Sequence, residues 1–139
     1  MTFLDTDTVT LLSYDHPRVT ARVGGEQPDQ IAVPSGARAE ALAGRLDALR
    51  KAATGADAVA MQARLDALER LLSRFRIVSF DDAATGIFDR LRADRRAKKV
   101  GRADLLIASI ALAHKATLVT RNLKDFRLVP GLAVENWAD

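Results

Sequence analysis

The stretch Lys99–Phe126, KVGRADLLIASIALAHKATLVTRNLKDF, decides how this chain is read. Leu105, Leu106, Ile107, Ala108, Ile110, Ala111, Leu112 and Ala113 leave it almost no polar face, which predicts a helix buried on both sides. Asp104 heads that helix, where the dipole favours an ionised carboxylate and where an acid is also an ordinary cap. Ala116–Thr120 follows as a short apolar strand that breaks at Thr120-Arg121-Asn122. In a parallel sheet such a break lies at the C-terminal edge, where ligands enter. The stretch therefore predicts a strand-and-helix fold with a site at this turn.

The rest of the chain alternates in the same way. Thr2–Leu4 is a short apolar opening, and Asp5-Thr6-Asp7 ends it, as expected of a buried first strand that delivers acids at its C-terminal end. A helix is expected from Thr8 to about Tyr14. A second starts near His16, with Asp15 as cap and Pro17 in its first turn, and stops at Gly24-Gly25. Gln30–Val33 is a second strand, closed by Pro34-Ser35-Gly36. From Ala37 to Ala53 a helix carries the stripe Leu42, Leu46 and Leu49, while Glu40 lies among small residues on the other side and is expected to be partly buried against the sheet.

Thr54-Gly55 breaks that helix, and Asp57 restarts one with a packing stripe of Met61, Leu65, Leu68, Leu72 and Phe75. The pentapeptide RLDAL occurs in both helices, from Arg45 and from Arg64, which predicts an αα-hairpin with an exposed face open to a partner. Arg76–Phe80 is a strand, Asp81 caps the next helix, and a last strand spans Leu132–Glu135, with Trp137 anchoring the end. The expected class is α/β, a mainly parallel central sheet flanked by helices in three layers, with residues 1–139 forming one domain.

Composition narrows the function. The 139 residues are 48% hydrophobic, sized for one core, and no run of about 18 apolar residues could span a bilayer. MTFLDTD has acids where a signal peptide needs a basic region, so a soluble cytoplasmic protein is expected, with no membrane partner. The absence of cysteine excludes disulfides, thiolate zinc sites and a cysteine nucleophile. The two histidines have no nucleophile-elbow serine to serve. Net charge is +3, and seven cations against the single acid Asp94 crowd Arg90–Arg102. Arg95, Arg96, Lys98, Lys99 and Arg102 are thus candidates to track nucleic-acid phosphates, without aromatic residues between them for base stacking.

The acids converge by topology. Asp5 follows the first strand, Asn122 and Asp125 follow the strand at 116–120, and Asp104 and Glu40 lie on helices flanking the same sheet. Carboxylates gathered in a crevice repel one another unless a cation joins them, and oxygen ligands favour Mg²⁺ or Mn²⁺ over zinc.

At this point the chain resembles the PIN-domain ribonucleases, and among them the VapC toxins of toxin–antitoxin pairs. The resemblance rests on FLDTD, on RIVSF followed by an acid, on KKVGRADLLIASIALAHKATLVTRNLKDF and on VPGLAVENW. The tail and DHPRVTARV are most similar to the VapC subgroup associated with initiator-tRNA cleavage. The resemblance implies a PIN-like fold and a metal-dependent endoribonuclease acting on RNA, with tRNA the expected class. It also implies an antitoxin partner and a homodimer.

By the same resemblance Asp5 and Asp104 are metal ligands, Glu40 is the acid of the middle motif, and Asn122 takes the fourth polar position with Asp125 as a substitute. Thr6 and Thr120 orient carboxylates or water, and Asp7 stands where relatives often have Asn. Pro34, Ala37, Glu40, Ala41 and Gly44 depart from the Ser-x-x-Thr-x-x-Glu-Leu pattern of many relatives, keeping only its glutamate and glycine. Two alternatives remain open at the level of sequence. One is a catalytically degenerate PIN domain used as a binding module; the other is a haloacid-dehalogenase-like phosphatase, from the fit of Asp5-Thr6-Asp7-Thr8-Val9 to a DxDx[TV] motif.

Overall fold

Strands β1 (Thr2–Leu4), β2 (Ile31–Pro34), β3 (Arg76–Val78), β4 (Thr117–Val119) and β5 (Ala133–Glu135) form one sheet in the computed structural model, which describes residues Met1–Asp139. The strand order is β3-β2-β1-β4-β5 and every pair is parallel. β1 is central, with Thr2 opposite both Ile31 and Thr117. The chain leaves β1 to build β2 and β3 on one side, then crosses to lay β4 and β5 on the other. That reversal opens a crevice at the C-terminal ends of β1 and β4.

Helices α1 (Thr6–Ser13), α2 (Pro17–Gly24), α3 (Ser35–Arg50), α4 (Gly55–Leu72), α5 (Asp82–Ala93), α6 (Arg102–Ala113) and α7 (Leu123–Phe126) cover the sheet. Phe3, Leu4, Ala32, Val33, Leu118 and Val119 are buried in its strands, and Ile107, Ala108, Ile110 and Ala111 of α6 are buried with them. The nearly apolar α6 is thus a core helix, as its sequence demands. α3 and α4 pack together as the expected hairpin, and Trp137 is buried at the end of the chain, its indole donating to Glu135 at 2.8 Å.

Several boundaries differ from expectation for identifiable reasons. α1 begins at Thr6, because Asp5 is its cap and accepts from the Thr8 amide at 2.9 Å. α2 is capped by His16 through Nδ1; Asp15 instead holds φ 57°, closing α1 in a left-handed turn. α3 starts at Ser35 behind Pro34 and buries Ala37 and Ala41. The leucine stripe is only partly used: Leu46 is exposed, and Glu40 is exposed where partial burial was expected. Small residues face inward because α3 comes close to α6; a Cβ added at Gly36 would lie 3.3 Å from Ile107 Cγ1.

Gly44, eight residues further along α3, has nothing within 4 Å of an added Cβ. The two glycines should respond oppositely. Gly36→Val is expected to cost about 1–3 kcal/mol by overpacking, and Gly44→Ala to gain about 0.5–1 kcal/mol by helix propensity. Thermal denaturation of the two variants beside the parent checks the contrast.

Candidate active site

Asp5 stands where β1 ends, and four hydrogen bonds build that corner. Its amide donates to Val119 O at 3.0 Å, tying β1 to β4 beyond the last paired residue. Its carboxylate takes the Thr8 amide at 2.9 Å, while the Thr8 hydroxyl donates to Val119 O at 3.0 Å. Thr120, fully buried, sets its hydroxyl beside the Asp5 carboxyl and accepts from the Asn122 amide at 2.9 Å. The Asp5 side chain is held on one side by α1 and on the other by the turn after β4.

Burial pushes the Asp5 carboxyl up to about 6. Hydrogen bonds from Thr120 and Thr8 oppose the rise, and the nearby Asp7 charge adds to it. Asp104, in the first turn of α6, is also pushed up to about 6, first by desolvation and then by the charges of Glu40, Asp125 and Asp7. Asp104 caps nothing: the residue before α6 is Gly101, whose side makes no cap bond. Its carboxylate is left free, half-buried among other acids.

Glu40 reaches the same place from α3 and accepts from Thr6 Oγ1 at 2.8 Å. Its orientation therefore comes from α1, not from the altered residues around it in α3. Asn122 caps α7, accepting from the Asp125 amide at 3.4 Å and donating from Nδ2 to Asp125 Oδ2 at 3.1 Å. Of these two, Asp125 is the one whose charge reaches Asp104; Asn122 holds it in place. None of the four ion pairs in the chain, Arg22–Glu135, Asp47–Lys51, Asp94–Arg96 and Arg121–Asp139, involves Asp5, Asp7, Glu40, Asp104 or Asp125.

The basic run is not gathered around these acids as a unit. Arg96 folds back on Asp94 at 2.8 Å and lines a hollow with Arg90, Leu112 and Pro130. Leu112 lies about 12 Å along α6 from Asp104, by the helical rise. Arg95 and Arg96 form a 3-10 turn before Lys98 and Lys99, and Arg102 opens the helix that carries Asp104. Three residues escaped the sequence reading. Thr8, placed there at the start of a helix, is the third residue after the Asp5 cap, a spacing that marks such caps. Arg45 and Arg64, hidden in the hairpin repeat, line a cleft that reaches Glu40.

The donor set fits a hard divalent cation in kind: carboxylates only, mutually repelling and without a compensating cation. No three of them converge tightly enough to ligate one ion as they stand. Mg²⁺ commonly keeps several waters and takes one or two carboxylates plus substrate phosphate, so it does not need three carboxylates at once.

This topology and corner define a PIN domain, and the PIN domain family matches residues 3–132. The chain belongs to the PIN-domain family and, within it, to the VapC group. It is 46% identical over 68 residues to Ribonuclease VapC2 of Rickettsia felis, across 48% of this chain and 51% of that protein. It is 32% identical over 71 residues to the tRNA(fMet)-specific endonuclease VapC of Salmonella typhimurium, across 50% of this chain and 54% of that protein. The chain thus spans about half the length of the curated relatives it matches. A chain in the crystal structure of VapBC2 from Rickettsia felis bound to a promoter DNA fragment superposes with a TM-score of 0.78 at 32% identity, covering 98% of both chains. Family membership removes the phosphatase alternative.

The raised Asp5 has a sign that can be measured. Its folded-state carboxyl titrates near 6, above the 3.8 of the free group, so folding favours the proton and the stabilisation it brings is lost as pH rises through about 6. Asp5→Asn keeps a good cap and removes the buried charge. In the absence of divalent ions it should stabilise the protein at neutral pH by roughly 2–3 kcal/mol. The advantage should shrink toward pH 4, as followed by denaturant unfolding across pH.

Proposed function

We propose that the chain is a metal-dependent endoribonuclease that hydrolyses RNA phosphodiester bonds as the toxin of a toxin–antitoxin pair. The observation that carries this reading is the uncompensated acid set around Asp104, at the sheet edge of a PIN fold. Asp5 and Asp104 would hold Mg²⁺ or Mn²⁺, with Glu40 and Asp125 completing the acidic wall. The chemistry such an ion supplies is Lewis-acid activation of the phosphodiester and of the attacking water.

The chain's own residues set the geometry. Thr120 and Thr8 fix Asp5, Thr6 fixes Glu40, Asn122 fixes Asp125, and Asp7 adds negative charge that favours a cation. Lys98, Lys99 and Arg102 precede or open α6 and supply positive charge on the Asp104 side, where phosphates must approach. Arg95 and Arg96 extend that charge toward the far end of α6.

Similarity to the tRNA(fMet)-specific endonuclease VapC supports tRNA as substrate, and likeness to the VapBC2 complex supports an antitoxin as partner. An antitoxin segment and a second copy of this chain both find apolar surface on the α3–α4 hairpin, where Val59 is 72% exposed. No helix of the chain is long and apolar enough to cross a membrane, which suits an enzyme reading placed in the cytoplasm with its RNA.

Purified chain incubated with tRNA and Mg²⁺ or Mn²⁺ should release fragments with 5′-phosphate and 3′-hydroxyl ends. Asp5→Ala and Asp104→Ala should each lower the rate at least about 100-fold, and Thr120→Ala about 10- to 100-fold. Cleavage that persists in EDTA or in both aspartate variants would sink the metal-nuclease reading. The open spacing of the acids also suits a catalytically degenerate binding module, and binding of RNA without any cleavage would select that reading.

A further inference from the structure

A cleft of about 330 Å³ runs between α1, α3 and α4, and one of its ends is the Thr6–Glu40 pair of the acid site. Tyr14, Gly44, Arg45 and Arg64 line the remainder. We propose that this cleft holds unpaired RNA nucleotides adjoining the scissile bond, with Arg45 and Arg64 on the phosphates and Tyr14 under a base; this rests on the endoribonuclease reading above.

Charge is the first reason. An acidic wall repels the phosphates on either side of the one being cut, so a strand can lie there only where cations adjoin the acids. Arg45 and Arg64 belong to none of the four ion pairs in the chain, so their charges are uncompensated. Arg45 is also ordered in advance: its guanidinium lies 4.4 Å from the Tyr14 ring centroid, bonds the Tyr14 hydroxyl and donates to Ser13 Oγ at 2.7 Å. A cation held in place loses little freedom when it meets a phosphate.

The aromatic ring is the second reason. Tyr14 is 53% exposed although aromatic, with Arg45 over one face. A nucleobase can stack on the open side only if it is not already stacked in a duplex, which restricts the occupant to loops and single strands. Gly44 is the third. A Cβ there would meet nothing within 4 Å, so close packing does not call for a glycine inside α3. The missing side chain keeps the cleft clear.

Fluorescence anisotropy with a labelled single-stranded RNA of mixed sequence, and with its duplex, in EDTA, measures binding apart from cleavage. Arg64→Gln should weaken binding and reduce the slope of log K against log salt by about 0.7. Tyr14→Leu should weaken the single strand roughly tenfold and change the duplex little. Gly44→Leu should block binding without lowering the thermal midpoint. Arg70→Gln, on another side of α4, is the charge-matched control and should bind as the parent does. Arg64 is exposed and unpaired, so its variant tests the cleft even where Gly44→Leu fails to fold.

Parental affinity in Arg64→Gln and Gly44→Leu overturns the inference, as does an equal loss in Arg70→Gln. Variants that bind RNA normally and lose only an antitoxin assign the cleft to protein and overturn it as well. A parent chain that neither binds nor cuts RNA removes the endoribonuclease reading itself, a result distinct from one that cuts RNA with an idle cleft.

Discussion

A carboxylate sealed at the end of the central strand is the constraint on which this structure turns. Asp5 is 3% exposed, and water is replaced around it by an amide of α1 and a hydroxyl from the turn after β4. Those donors only partly offset desolvation, so the group is held at a cost to the folded state. The cost is placed where the sheet can support it: Asp5 N and Thr8 Oγ1 both donate to the same Val119 carbonyl. Core strand pairing and site geometry are one set of bonds at this corner.

The remaining acids are brought in by packing. α6 is buried along most of its length and carries Asp104 at its open first turn. α3 approaches α6 at Gly36 and Ile107 and so presents Glu40 on the same side. Apolar burial thereby fixes the positions of groups that electrostatics alone would drive apart. A cation entering the crevice would relieve repulsion that the fold has already imposed.

Strands and the buried helix were legible in the sequence because their apolar runs have no other stable placement. Asp104 and Asp5 were legible as candidates for the same reason: each is an acid directly bordering such a run. Glu40 was harder. Its small neighbours suggested burial, yet only Ala37 and Ala41 turn inward, and the glutamate on the next face is exposed. Of the leucine stripe only Leu46 is exposed, while Leu42 packs against the core; the closest approach to α6 is left to small residues. Arg96 could not be placed from composition, since a local bond to Asp94 two residues away decides its direction. Tyr14 follows α1 while Arg45 and Arg64 lie on α3 and α4, and no spacing along the chain announces their meeting.

The pairing of β1 with β4 gives the site a place in time as well as in space. Thr2 lies beside Thr117 and Leu4 beside Val119, so a segment made early must wait for one made more than a hundred residues later. A ribosome-bound fragment ending before Thr117 already contains Asp5, Glu40 and Asp104 but has neither the Val119 carbonyl nor the Thr120 hydroxyl that shape the Asp5 corner. Long-range closure of this kind is slow relative to local helix formation. The acidic centre is therefore among the last features to assemble, and a nascent chain still tethered to its own messenger and transfer RNAs carries an unfinished one.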